Sequence, residues 1–153
     1  MTRFVAAGGG FLLAVLWFDL MFDVQVLRHR GRAGPLPDDV VGSIAGYYRR
    51  VTTAARPMNR LIGAVMVATL AAIVAQIAGG DGPAWVGWAS LALAGAAIAL
   101  AAAHTVPAAV RLGARAGGAD DDSRLARSIC RDHLLCLAAI ASLVVIQLAF
   151  GAP

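Results

Sequence analysis

Hydrophobic positions in this chain fall into four long runs: Phe4–Val26, Asn59–Ala78, Ala84–His104 and Asp132–Phe150. Each approaches the ~20 residues that a helix rising about 1.5 Å per residue needs to cross a hydrocarbon core about 30 Å thick. The pattern predicts an all-α, four-transmembrane-helix integral membrane bundle, a single domain over residues 1–153. The first run is too long for the apolar region of a secretory signal. It carries Asp19 and Asp23, and no A-x-A site follows it, so it reads as a retained span.

The segments between the runs carry their own signals. Pro35 and Pro37 mark a turn, and Asp38 or Asp39 is placed to cap a following helix. Val40, Ile44, Tyr47, Val51 and Ala54 then recur at helical spacing. This predicts an amphipathic cytoplasmic-side helix over 38–55, between spans one and two, lying on the membrane surface or across the bundle mouth. Pro57 should break it before span two. Asp120, Asp121, Asp122 and Ser123 read as a solvated N-cap for a helix running straight into span four. Pro107 should end or kink span three near His104.

Composition supports a membrane class. The chain is 59% hydrophobic and 14% charged, with a mean hydropathy of +0.73, whereas soluble domains are about 25% charged. Its thirteen basic residues are all arginine. Twelve of them lie between spans one and two (Arg28, Arg30, Arg32, Arg49, Arg50, Arg56, Arg60) or between spans three and four (Arg111, Arg115, Arg124, Arg127, Arg131), and Arg3 lies at the other end. The positive-inside rule then places both long segments in the cytoplasm, both termini outside, and the protein in the plasma (inner) membrane. Trp85 and Trp88, after the short turn at 79–83, fall at the outer interface. The arginines flank spans and no nucleic-acid module is present, so the pI of about 10.0 points to membrane lipid as the partner and not to nucleic acid.

The candidate chemistry gathers at one end of the bundle. Asp19 and Asp23 lie four residues apart on one helix face near the cytoplasmic edge of span one, His104 closes span three, and His133 opens span four. Ionisable groups at membrane depth are costly and mark functional sites by default. Three readings follow. Asp19 or Asp23 pairs with an arginine such as Arg60 to hold the bundle. Asp19, Asp23, His104 and His133 ligate a transition metal such as iron, in an oxidoreductase-like site for a lipophilic substrate. Or the carboxylates relay protons or cations in a transporter. Tyr47, Asn59 and Arg60 lie in the same leaflet and complete the candidate ligand-binding set, with Tyr48 within reach. The Glu-x-x-His pairing of di-iron bundles is absent, as are nucleotide-binding loops and hydrolase motifs.

Cys130, His133 and Cys136 form a C-x-x-H-x-x-C spacing, but Cys130 and Cys136 lie about 9 Å apart along a helix, beyond disulfide reach, and read as free, packed thiols. Small residues at Ala92, Gly95, Ala96, Ala99 and Ala103 make span three the candidate for the most buried helix or for a homo-oligomer contact, and Gly8, Gly9 and Gly10 allow close approach in span one. Gln76 and Gln147 are placed to hydrogen-bond across the bundle. An accessory role in a larger membrane complex, with the polar cluster purely structural, fits the same pattern.

The topology has a direct test. Single cysteines introduced as Asp81→Cys, Arg32→Cys and Arg115→Cys should react with an impermeant maleimide from outside only at position 81. Labelling at 115 in intact cells would reverse the assigned orientation.

Overall fold

The computed structural model describes residues 1–31 and 34–151. Arg32 and the side chain of Arg56, both counted among the loop arginines above, lie outside the described residues. The chain is an all-α bundle with no strand among the described residues. Helix α1 spans Thr2–Asp23 and tightens into a 3₁₀ segment, Val24–His29. Helix α2 (Asp38–Arg49) is followed by a π-turn at Arg50–Ala54 and by α3 (Arg56–Gly79). Helix α4 (Ala84–Leu100) passes through a second π-turn, Ala101–Thr105, into α5 (Val106–Ala114), and α6 runs Ala119–Phe150. Four stretches are long and apolar enough to cross a membrane: Thr2–His29, Pro57–Gly79, Ala84–Ala114 and Ala119–Phe150.

Helices α1 and α6 form the central pair, with α3 and α4 packed around them. The interior is layered. Near the chain termini, Gln76 and Gln147 exchange side-chain hydrogen bonds at 2.9 and 3.3 Å, and Gln147 also donates to Ser90 Oγ at 2.9 Å. Each amide thus satisfies the other where no water is available. Below lie Val5, Ile73, Ala94 and Leu143, then Leu12, Ala97, Cys136 and Ile140. The opposite, arginine-rich end holds a broader core in which Val41, Ile44, Ala45 and Tyr48 of α2 meet Ala108, Ala109 and Leu112 of α5 and Ala126, Ile129 and Cys130 of α6.

Glycines set the spacing where helices meet closely. A Cβ at Gly9 would stand 2.6 Å from Val144 Cγ2, and one at Gly113 would stand 2.9 Å from the Arg49 backbone nitrogen. Gly9 therefore lets α1 close on α6, and Gly113 lets α5 touch the α2 backbone. Gly8 meets Thr69 of α3 in the same way, whereas Gly10 faces open space.

Several local expectations are corrected. Helix α2 stops at Arg49 and buries Val41, Ile44, Ala45 and Tyr48; Val40 and Tyr47 are only partly buried, and Val51 lies in the π-turn. The helix packs across the bundle mouth. Its N-cap is Pro37 without a side-chain cap, and Asp38 and Asp39 instead place negative charge in its first turn. Pro107 does not end span three. The wider π-turn brings the Val106 N–H to the Ala101 carbonyl, so the helix absorbs the proline without breaking. The acidic triplet is not simply solvated. Asp122 is buried and meets Arg115 Nε at 3.4 Å, while Arg115 Nη2 reaches Asp38 Oδ1 at 2.6 Å. One guanidinium thereby ties the start of α2 to the start of α6, and the two carboxylates hold its pKa above the ordinary value. Span three is as buried as spans one and four and no more so: its inner face is Val86, Gly87, Ser90, Ala94 and Ala97, and Ala92, Ala96, Ala99 and Ala103 lie on the outer surface.

Candidate functional site

Asp23 ends α1 and has no solvent exposure. A carboxylate so placed requires donors, because the cost of leaving it unpaired in an apolar interior is several kcal/mol. Two are supplied. Tyr48 of α2 donates its hydroxyl to both oxygens, 2.8 Å from Oδ1 and 2.8 Å from Oδ2. His133 of α6 places Nδ1 2.6 Å from Oδ2. The Tyr48 oxygen is itself 3.4 Å from His133 Nδ1.

One turn earlier on the same face, Asp19 faces the other side of the same imidazole, with Oδ2 3.8 Å from His133 Nε2. Its Oδ1 accepts from the Tyr47 hydroxyl at 2.7 Å. Tyr47 is braced by Phe22, stacked with ring centroids 4.2 Å apart. The result is a chain of five groups from three helices: Tyr47, Asp19, His133, Asp23 and Tyr48. Adjacent residues of α2 serve the two carboxylates because Asp19 and Asp23 are stacked along α1. Burial pushes the pKa of both phenols well above the ordinary value, and the nearby carboxylates push it further, so the tyrosines stay neutral donors.

His104 joins a different cluster. Its Nδ1 lies 2.5 Å from Asp132 Oδ2, which also accepts from Thr105 Oγ1 at 3.3 Å, and Arg131 Nη2 reaches Asp132 Oδ1 at 3.2 Å. Asp132 is fully buried, whereas His104 is about half exposed (49%). Asp132 and His133 are consecutive on α6, so their side chains leave the helix about 100° apart at 3.6 residues per turn. One turns to the π-turn after α4, the other to α1.

The four-ligand metal set is therefore corrected. Asp19, Asp23 and His133 come together, but His104 is engaged by Asp132, and no group of three or more His, Cys, Asp or Glu among the described residues is arranged to hold a metal ion. The C-x-x-H-x-x-C spacing builds no site either. Cys130 and Cys136 are free and buried, and Cys136 donates to the Ala97 carbonyl at 3.6 Å. Of the remaining ligand candidates, Tyr47 belongs to the site and Asn59 and Arg60 do not. Asn59 donates to the Thr52 carbonyl at 3.1 Å, and Arg60 is exposed and makes no ion pair with Asp19 or Asp23. The partners the carboxylates find are phenols and an imidazole.

Tyr48 and Asp132 are the residues that sequence reasoning undervalued. Tyr48 sits one position from the favoured apolar stripe. Asp132 had a signal in the sequence, since a carboxylate and an imidazole adjacent on an otherwise apolar helix each require a partner on a different neighbour.

Tyr48→Phe tests the geometry. It removes a donor to a fully buried carboxylate while preserving the ring, and should lower stability by about 1–3 kcal/mol, read as a lower thermal unfolding midpoint in detergent. Tyr47→Phe, at the more open Asp19, should have a smaller effect. Equal midpoints for wild type and Tyr48→Phe would mean that Asp23 does not depend on this bond.

Comparisons of the chain with family models, curated proteins and solved structures return no match, and the functional reading rests on the geometry of the site.

Proposed function

We propose that this is a proton-coupled integral membrane protein, with Asp19, His133 and Asp23 as its proton-exchange site. The supporting observation is a single imidazole with a carboxylate facing each ring nitrogen, at 2.6 Å on the Nδ1 side and 3.8 Å on the Nε2 side, inside a bundle of apolar helices. Imidazole is suited to this role because it releases one ring proton after gaining another. A proton arriving on Asp19 passes to Nε2 of neutral His133, whose Nδ1–H already points at Asp23. The imidazolium so formed hydrogen-bonds Asp23 through Nδ1 and pairs electrostatically with Asp19, whose Oδ2 stands 3.8 Å from Nε2. Loss of the Nδ1 proton to Asp23 completes a transfer from one carboxylate to the other, and the two tyrosine hydroxyls stabilise whichever carboxylate is charged.

The metal-centred reading needed His104 beside Asp19 and Asp23, and its pairing with Asp132 removes the fourth ligand. Arginine distribution supports a cytoplasmic position for the site, with both termini outside in the plasma (inner) membrane. The apolar layers from Cys136 and Ile140 up to Leu143 separate it from the Gln76–Gln147 pair at the other end. A proton crossing the bundle therefore requires a rearrangement, as in a carrier, and α2 is the element to move, because Tyr47 and Tyr48 hold it to Asp19 and Asp23.

The test is proton flux in proteoliposomes containing a trapped pH indicator, under a potassium-driven membrane potential. Wild-type protein should acidify the lumen faster than empty liposomes and with saturation. Asp19→Asn and His133→Gln should each lower the rate at least about tenfold, the scale on which proton-transfer groups act, while remaining monodisperse. Wild-type flux no greater than that of empty liposomes would overturn the proposal, as would unchanged flux in both variants.

A further inference from the structure

Apart from the Asp19–His133–Asp23 cluster, the arginine-rich end holds a cavity of about 410 Å³ between the 3₁₀ segment that follows α1 and the first half of α6. Arg30, Arg127 and Arg131 line it together with Leu27, Leu134 and Leu135. We propose that this cavity binds the headgroup phosphate of an anionic phospholipid, with an acyl chain lying along α6. The inference does not depend on proton exchange at His133.

Charge argues first. Among the described residues, the arginine ion pairs are those of Arg115, Arg124 and Arg131, so two of the three cavity arginines have no carboxylate partner. Arg127 donates through Nη2 to the Gly34 carbonyl at 3.0 Å, which fixes its position and leaves its charge uncompensated. Arg131 shares the buried Asp132 with His104. The wall therefore carries a net positive charge suited to a phosphodiester, and guanidinium groups bind phosphate oxygens in paired, planar geometry.

Shape argues for a lipid over a free ion. Leu134 and Leu135 are exposed at the cavity edge, and the exposed face of α6 continues through Ala138 to Val145. A phosphate held by the arginines would thus have an apolar track leading from it along a membrane-crossing helix. The cavity opens at the arginine-rich end, where headgroups of that leaflet lie and basic side chains attract anionic lipid.

Native mass spectrometry of the full chain, released from detergent after incubation with phosphatidylglycerol or phosphatidylcholine, tests the assignment. One phosphatidylglycerol per chain should be retained in preference to phosphatidylcholine. Arg30→Gln and Arg127→Gln should each weaken retention about fivefold, the effect expected for one arginine near an anionic surface, and Arg3→Gln at the opposite end should not. Arg30 is exposed, so its replacement leaves the fold intact. Equal retention of the two lipids, or equal retention in wild type and both cavity variants, would overturn the proposal. Complete displacement of phosphatidylglycerol by millimolar inorganic phosphate would also overturn it, by identifying a free-phosphate site.

Discussion

A carboxylate without solvent exposure, at the end of a helix that is otherwise apolar, constrains most of what surrounds it. Asp23 cannot stay charged there without donors, and the bundle brings them from two directions, Tyr48 from α2 and His133 from α6. Helix α2 has to lie across the bundle mouth for Tyr48 to reach, and Gly113 must be a glycine for α5 to support α2 at that height. The register of α6 is set in turn, since His133 facing α1 obliges Asp132 to face the segment after α4, where His104 and Thr105 receive it. The π-turn at Ala101–Thr105 carries both of those partners. Fold and site are therefore one problem: the polar groups that make chemistry available also fix the packing of α1, α2 and α6 and of the π-turn that follows α4.

The sequence made the four spans legible because length and hydropathy alone demand them. It also marked Asp19, Asp23 and His133, since each is expensive in an apolar run. Gln76 and Gln147 were legible for the same reason. The division of the histidines was less visible. His104 and His133 sit at matching depths, and depth is what spacing along a chain reports; which neighbour each faces depends on the rotation of whole helices. Tyr47 and Tyr48 show a similar limit. The helical stripe favoured Tyr47, but the inner face of α2 is Val41, Ile44, Ala45 and Tyr48, and Tyr47 lies at its margin against Phe22. Asp122 was misread because an acidic run before a helix usually caps it in solvent, and nothing in the sequence signalled that Arg115, seven residues earlier, turns back to pair with it.

The two ends of the molecule differ in kind. Near the termini, the buried Gln76–Gln147 amide pair and Ser90 make a packing contact between apolar helices, and the Met1 ammonium meets Asp81 at 3.6 Å at the surface. The arginine-rich end has titratable groups, a helix lying across the spans and a cationic cavity. Asp132 and His133 stand between these features: Arg131 beside them lines the cavity, His104 reaches outward, and the His133 ring faces inward. A change in protonation at His133 is thereby two residues away from Arg131, one of the groups that would meet a lipid phosphate.

The central claim is that the His133 ring joins Asp19 to Asp23 through its two nitrogens. Nitrogen-15 NMR of histidine-labelled protein in bilayers, with the His133 signals assigned by their loss in His133→Gln, tests it most directly. Asp23→Asn should shift the Nδ1 resonance and Asp19→Asn the Nε2 resonance, each leaving the other less affected, and the ring should exchange protons reversibly as pH is varied. His133 resonances that match an isolated imidazole and ignore both substitutions would contradict the account.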